Sequence, residues 1–280
     1  MEKVREKILV LGGMGMLGHV LLEKLNDKKL FEVYDITRNK EHRSNNFKCD
    51  VTSFDSLFEI INQINPDYII NCVGVLINGS LSDPSNAILI NAVLPHKLVQ
   101  FSEAVSAKLI HISTDCVFDG SKGSYIESDN KTAQDTYGLS KSLGEIKDSK
   151  NLTLRTSIIG PELKENGEGL FSWFLSQNGE VNGYTESIWG GVTTFVLADL
   201  IIKSINENHT GLIHVTNGKP ISKFELLSLI KNKFELDDII LKKVSGKKSN
   251  KSLNTKFNYF NVPSYEEMII DMNKYYLENY

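Results

Sequence analysis

Short, continuously apolar runs alternate with helical patterns along most of this chain, and that alternation restricts its fold more than any single motif. Ile8-Leu9-Val10-Leu11 is one such run; from 16 to 25 the apolar residues Leu17, Val20, Leu21 and Leu25 then recur at helical spacing. Residues 31–36 form a second strand-like run, 56–64 a helical one, and Tyr68-Ile69-Ile70-Asn71-Cys72-Val73 a third strand. Residues 84–105 carry one long helical pattern, Lys108-Leu109-Ile110-His111-Ile112 a fourth strand, 137–145 a helix and Leu152-Thr153-Leu154-Arg155 a fifth strand. Further on, 196–205 reads as a helix and Leu212-Ile213-His214-Val215 as a strand. Strands with one solvated face alternate apolar and polar residues; these do not, so helices must cover both faces. The pattern predicts an α/β fold with a doubly wound parallel sheet, which binds ligands beyond the carboxyl ends of its strands.

The 280 residues, 41% of them hydrophobic, suffice for one large domain or a domain with a smaller lobe. With 31 Lys+Arg against 35 Asp+Glu and a net charge of −4, neither a basic nucleic-acid surface nor a membrane-binding patch is expected. Cys49, Cys72 and Cys116 are scattered, with no C-x-x-C, so no disulfide framework or metal site is expected. The charged stretch Met1-Glu2-Lys3-Val4-Arg5-Glu6-Lys7 precedes an apolar run that breaks at Gly12, unlike a signal peptide. No stretch approaches the roughly 18 apolar residues of a membrane span. A reducing, cytoplasmic setting is the expectation. The lysine-rich stretch 242–251 reads as a solvated loop.

The first strand runs into Gly12-Gly13-Met14-Gly15-Met16-Leu17-Gly18, a G-x-x-G-x-x-G turn opening a helix. Gly12 suits the tight turn, Gly15 lets backbone approach a pyrophosphate, and Gly18 lets the helix pack on the strand. The amides at the helix start then face phosphates. Gly12, Met14, Gly15, Met16, Leu17 and Gly18 are therefore candidate dinucleotide contacts in a Rossmann-type sheet; a turn serving packing alone is the alternative. The second strand ends Val33-Tyr34-Asp35-Ile36-Thr37-Arg38. Counting places Thr37 where an NAD site usually has a carboxylate, and Arg38 next to it suits a 2′-phosphate. NADP(H) is thus preferred, with NAD(H) retained, because a two-residue slip would make Asp35 a ribose ligand. Asp50, in Cys49-Asp50-Val51, is placed to meet the adenine amine, with Val51 beside it.

The fourth strand leads into Ser113-Thr114-Asp115-Cys116-Val117-Phe118-Asp119-Gly120, and Tyr137-Gly138-Leu139-Ser140-Lys141 follows. Tyr and Lys four apart on a helix share a face, and an ammonium beside a phenol lowers the phenol pKa. Tyr137 becomes a candidate proton donor to a carbonyl, Lys141 its tuning group and a ribose contact, and Thr114 a hydroxyl that polarises the same oxygen. On a bland reading, Tyr137 and Lys141 are two surface residues of a helix, His111 and His19 are packing residues, and Trp173, Tyr184 and Trp189 are core or interface aromatics.

Together these motifs resemble the extended, nucleotide-sugar branch of the short-chain dehydrogenase/reductases over the whole chain. Asn71-Cys72-Val73-Gly74 stands where that family has an N-A-A-G-like segment, so Cys72, Val73 and Gly74 are implied cofactor contacts, and Asn91 falls where it carries a structural asparagine. Thr114, Tyr137 and Lys141 match its catalytic triad. Within the branch, Ser113 to Gly120, Leu154-Arg155-Thr156-Ser157-Ile158-Ile159-Gly160 and Gly191-Val192-Thr193-Thr194 look most like the dTDP-4-dehydrorhamnose reductases. Those enzymes have Tyr where this chain has Cys116, and residues 161–189 offer no match to their sugar pocket.

The resemblance implies NADPH-dependent reduction of the 4-keto group of a nucleotide-linked deoxysugar, in the synthesis of surface-polysaccharide sugars. It implies a dinucleotide-binding domain of residues 1–157 plus about 191–217, and a smaller C-terminal substrate-binding lobe of about 158–190 plus 218–280. Asp115, Cys116 and Trp189 are the implied substrate contacts, and a homodimer fits the family. A sugar-nucleotide epimerase is the alternative enzyme; a dehydratase is disfavoured because Cys116 stands where its Glu belongs. A non-catalytic NADP-binding subunit, like the regulatory subunit of methionine adenosyltransferase, is the alternative outside catalysis.

Overall fold

The aliphatic runs become strands with no exposed surface: Ile8, Leu9, Val10, Leu11, Ile69, Ile70, Leu109 and Ile110 are all 0% exposed in the computed structural model of the chain. It describes residues 5–28, 30–39, 43–164 and 167–280. Residues 1–4 of the charged N-terminal stretch, and 165–166 within the expected substrate lobe, lie outside the described residues.

In chain order the strands are β1 Glu6–Leu11, β2 Phe31–Thr37, β3 Asn46–Lys48, β4 Tyr68–Asn71, β5 Lys108–Thr114, β6 Leu152–Thr156, β7 Ile158–Ile159, β8 Gly179–Tyr184, β9 Ser187–Trp189, β10 Val192–Thr193, β11 Gly211–His214, β12 Ile221–Ser222, β13 Ile239–Val244 and β14 Ser249–Asn250. The helices are α1 Gly18–Asp27, α2 Phe54–Ile64, α3 Ile77–Ser82, α4 Pro84–Ile88, α5 Leu94–Ala104, α6 Thr136–Leu143, α7 Leu170–Leu175, α8 Thr194–Asn206, α9 Lys223–Lys233 and α10 Tyr265–Asn279. Among the described residues no helix is long and apolar enough to cross a membrane.

The main sheet has seven strands in the order β11-β6-β5-β4-β1-β2-β3. β1 pairs in parallel with β2 on one side and β4 on the other, with Val10 opposite Asp35 and Ile70. The chain thus starts mid-sheet, builds outward through β2 and β3, then crosses to build the other half. This is the doubly wound Rossmann arrangement, and its switch point lies at the carboxyl ends of β1 and β4.

Chain contacts divide the protein into two units. The first is Met1–Ser113, Ala133–Leu154 and Ala198–Ile213; the second is Thr114–Thr132, Arg155–Leu197 and His214–Tyr280. The division expected from the family puts 114–132, 155–157, 191–197 and 214–217 in the dinucleotide-binding domain, whereas all four segments fall in the second unit, the longest being Thr114–Thr132. That segment belongs to the second unit because its backbone bonds there: Tyr125 N donates to Ser252 O (2.9 Å), Asn250 N to Gly120 O (2.8 Å) and Asn254 N to Tyr125 O (2.7 Å). The first unit holds most of the main sheet and an apolar cluster of Leu57, Ile61, Leu94 and Leu98 against β1, β4 and β5. The second holds the small sheets β10-β7, β12-β9-β14 and β13-β8.

Two expectations are corrected. Residues 84–105 are not one regular helix, because Leu89–Val93 between α4 and α5 is a π-helical turn in which the Leu94 amide reaches back to Leu89 O. Pro95 supplies the reason: it has no N–H to return to Asn91 O, so the regular ladder fails there. The lysine-rich stretch 242–251 is not simply a loop. Lys242 and Lys243 lie in β13, which pairs in parallel with β8, and Ser249–Asn250 forms β14 beside β9. Charged side chains on the exposed face of an edge strand mimic a loop's composition.

Candidate active site

The glycine turn after β1 is built by contacts that demand glycine at two positions and leave a third unexplained. Gly12 has φ +84°, a left-handed conformation, and a Cβ there would lie 3.2 Å from Val73 N. A Cβ on Gly18 would lie 2.1 Å from Gly12 O, so α1 approaches the turn only with glycine. At Gly15 a Cβ would meet only Gly12 O, at 3.2 Å. No packing within the chain requires glycine there, and the position suits a group docked from outside, such as a pyrophosphate. Leu17 is buried, whereas Met14 and Met16 are partly exposed at the turn. His19 is buried and its Nδ1 lies 2.8 Å from Gly15 O, so it braces the turn.

The end of β2 departs from the register counted in the sequence. Asp35, expected to lie too early, sits against the glycine turn, since a Cβ on Gly13 would be 2.7 Å from its Oδ2. That oxygen accepts hydrogen bonds from Arg43 at 2.6 Å and from Asn46 Nδ2 at 2.9 Å. The same guanidinium reaches Met14 Sδ at 3.8 Å. Arg43 therefore brings a cation to the turn, and sequence reasoning missed it because it lies eight residues beyond Asp35. Thr37 is buried, with Oγ1 donating to Asn39 O at 2.5 Å and accepting from Asn46 Nδ2 at 2.9 Å. Arg38 is exposed, and its charge acts on Asp50. Asp50 Oδ1 accepts from Thr52 N and Oγ1 at 2.9 and 2.7 Å, and these bonds with Thr52 hold its carboxyl below the usual range. Val51 packs into the apolar cluster, so its side chain serves the core.

On the other side of β1, α6 carries the tyrosine and the lysine. Asp135 caps this helix, accepting from Gly138 N at 2.9 Å. Tyr137 is partly exposed, whereas Lys141 is only 5% exposed. Lys141 Nζ donates to Ile112 O on β5 at 2.7 Å. Burial draws Lys141 down to about 8, opposed chiefly by the Glu145 charge. The Asn71-Cys72-Val73-Gly74 segment lies beside it, a Cβ on Gly74 being 4.0 Å from Lys141 Nζ. Asn91, in the π-helical turn, clamps this segment: Val75 N donates to its Oδ1 and its Nδ2 to Val75 O, both at 2.9 Å. Nδ2 also reaches Ser140 Oγ at 3.2 Å, tying the clamp to α6. Burial pushes the Cys72 thiol up to about 12, so it stays protonated. His111 is fully buried with Nδ1 3.2 Å from Asn71 Nδ2, while its Nε2 lacks a partner among the described residues. Burial drives its pKa well down, so it is neutral.

Thr114 ends β5 two residues beyond Ile112 and opens the second unit. Its Oγ1 accepts from Cys116 N at 3.1 Å and lies 3.2 Å from Asp115 Oδ1. Asp115 is 5% exposed; burial raises its pKa against the opposing pull of Lys251 and Lys223. Burial and the Asp115 charge push the Cys116 thiol up to about 12, which argues against a nucleophile. Trp189 is buried, with Nε1 donating to Ser157 Oγ at 2.8 Å and its ring 5.7 Å from that of Tyr265, as a packing residue would be. Trp173 and Tyr184 are exposed, each at 41%. No cluster of His, Cys, Asp and Glu suited to a metal ion occurs among the described residues.

Residues 6–256 match the family described as RmlD substrate binding domain. The chain belongs to that family. A dTDP-4-dehydrorhamnose reductase of Burkholderia thailandensis is 31% identical over 157 residues, covering 54% of this chain and 49% of the relative. The chain spans about half the length of the first curated relatives it matches. A hypothetical dTDP-4-dehydrorhamnose reductase from Sulfolobus tokodaii superposes with TM-score 0.76 at 30% identity, over 88% of this chain and 91% of that one. The dTDP-4-dehydrorhamnose reductase of Bacillus anthracis, solved in complex with NADP, shares the fold with TM-score 0.81 at 24% identity, over 99% of this chain and 100% of that one.

Proposed function

We propose that this RmlD-family protein is a cytoplasmic, NADPH-dependent reductase of the 4-keto group of a nucleotide-linked deoxysugar, of the dTDP-4-dehydrorhamnose type, serving surface-polysaccharide synthesis. The observation that carries the proposal is the buried Lys141 ammonium, fixed to Ile112 O one helical turn from Tyr137. A lysine on a bland surface helix would be solvated; this one is sequestered where a charge acts strongly on a neighbouring phenol.

When bound, the nicotinamide supplies the hydride. Tyr137 gives the proton to the carbonyl oxygen, Lys141 stabilises the phenolate that remains, and Thr114 donates a hydrogen bond to the same oxygen. The turn at Gly12, Gly15 and Gly18 fits a pyrophosphate because the Gly15 face is not filled by the chain itself. Asp115 and Cys116 remain the proposed substrate contacts, and Trp189, buried against Ser157 and Tyr265, is proposed to support them by packing in place of a direct contact. A homodimer belongs to the same reading.

The cofactor preference is assigned to Arg43 in place of Arg38. The Asp35 carboxylate, which would otherwise hold ribose hydroxyls, is engaged by Arg43, and the guanidinium at the turn suits a 2′-phosphate. Fluorescence titration checks this. Arg43→Ala weakens NADPH binding by about 10- to 100-fold, from roughly 1.5–3 kcal/mol for a charge-assisted contact, and leaves NADH nearly unchanged. Arg38→Ala has the smaller effect, and the reverse order would return the role to Arg38. Oxidation of NADPH by a purified dTDP-4-keto-6-deoxyhexose tests the activity, and tight NADPH binding without turnover on any nucleotide 4-ketosugar would point to the non-catalytic reading.

A further inference from the structure

The chain leaving α6 is fixed by a backbone approach that only glycine permits. A Cβ on Gly144 would lie 1.9 Å from the Asn91 carbonyl oxygen, which belongs to the π-helical turn before Pro95. Gly144 therefore sets the course of the next residue, Glu145. The Glu145 carboxylate accepts a hydrogen bond from Ser113 Oγ at 2.7 Å. Ser113 follows Ile112, the residue whose carbonyl accepts from Lys141 Nζ at 2.7 Å. Two consecutive residues of β5 thus hold an ammonium through a main-chain oxygen and a carboxylate through a hydroxyl. The same backbone clamp, Asn91, steadies both through Ser140 and Gly144.

We infer that Glu145, seated by Gly144 and Ser113, is the counter-charge of the Lys141 ammonium and a positioning residue for the Tyr137–Lys141 pair. The inference rests on the proposed reductase and sets the pH range of its proton step. Three described titratable groups interact electrostatically with Lys141, Glu145 beyond its own helix, Cys72 after β4 and His111 on β5, and Tyr137 stands one turn earlier on α6. Burial keeps the Cys72 thiol protonated, with its pKa pushed up to about 12. Burial and the nearby Lys141 charge keep His111 neutral. Glu145 is then the anion of the group, and an ammonium this deeply buried loses its proton readily without one.

The sign follows directly. Burial lowers Lys141 to about 8 even with Glu145 opposing it. Without the carboxylate Lys141 loses its proton at lower pH, and the phenol loses its cationic neighbour with it.

Glu145→Gln is the test, because the amide still accepts from Ser113 while the charge is gone. Protein labelled with ¹³C at lysine Cε, with the Lys141 signal assigned by Lys141→Met, reports the Lys141 midpoint with no substrate present. The expected midpoint falls by about one pH unit or more in Glu145→Gln, the usual worth of an adjacent opposite charge, and by less in Ser113→Ala. The alkaline limb of kcat moves down by the same amount, with KM for the sugar nucleotide little changed. An unshifted Lys141 midpoint in Glu145→Gln overturns the inference; if that variant does not fold, an unshifted midpoint in Ser113→Ala does so. A shifted midpoint in a protein whose wild type reduces no 4-ketosugar sustains the charge pairing and overturns the reductase instead.

Discussion

The first unit is ordered by long parallel ladders of aliphatic residues: β1 runs six residues against β2 and four against β4, and its last four residues are completely buried. Among the described residues of the second unit, β8 and β13 pair over six residues, whereas β10-β7, β12-β9 and β14-β9 pair over two each. Its largest fully buried side chain is Arg155, 5.0 Å above the Phe118 ring and hydrogen-bonded to His214 Nε2 at 2.8 Å. A guanidinium only donates, so Nε2 accepts and Nδ1 carries the proton that goes to Asn254 O at 2.8 Å. Glu127 accepts from His214 N at 3.0 Å and from Thr255 Oγ1 at 2.5 Å. The contrast teaches that strand burial suffices to order a doubly wound sheet, whereas short-stranded regions depend on polar networks that must be complete.

Substitutions in each unit sharpen that contrast. Leu57→Ala, at a fully buried position of the first unit, costs about 2–5 kcal/mol in denaturant unfolding. Arg155→Met preserves much of the bulk but strips His214 and Phe118 of their partner; it costs about 1–3 kcal/mol, with hydrogen exchange accelerated in the second unit. Equal acceleration in both units would remove the distinction drawn between them.

The pH response is smaller per step. Burial, then the Arg155 charge, lowers His214 to about 4, so its neutral form is favoured on folding. Stability from this group is complete above the unfolded histidine pKa of about 6.5 and is lost as pH falls towards the folded value, at about 1.4 kcal/mol per unit. Arg155→Met flattens that slope, which thermal unfolding between these pH values reads. The smallest effect belongs to the α9 cap, where Ser222 and Glu225 form a reciprocal capping box. Ser222→Ala costs about 0.5–2 kcal/mol in the same unfolding measurement.

The same contrast governs what the amino-acid sequence discloses. β1 and β4 are legible because burial on both faces leaves unbroken aliphatic runs, and β2 and β5 because their buried aliphatic residues outnumber the polar ones between them. β13 is not, since Lys242 and Lys243 lie on an edge strand whose partner β8 begins about sixty residues away. Within the site, Gly12, Gly15, Gly18, Tyr137 and Lys141 stand at short fixed spacings that express local geometry. Arg43 and Glu145 do not: one meets Asp35 from the segment between β2 and β3, the other meets Ser113 across a separation of 32 residues. Counting along β2 puts Asp35 two residues early, because its approach to Gly13 depends on the packing of the turn and not on position along the strand. The π-helical turn is signalled only by Pro95, which a helical apolar pattern masks.

The most direct measurement is NADPH oxidation driven by dTDP-4-keto-6-deoxyhexoses, comparing wild type with Tyr137→Phe. The phenylalanine keeps the ring and its packing but has no proton to give. The account predicts turnover by the wild type, a fall of about 10²–10⁴-fold in kcat for the variant, and nearly unchanged NADPH affinity. Tyr137→Phe turning over at the wild-type rate on a substrate the wild type reduces would contradict it and move the proton source to the buried Asp115 carboxyl.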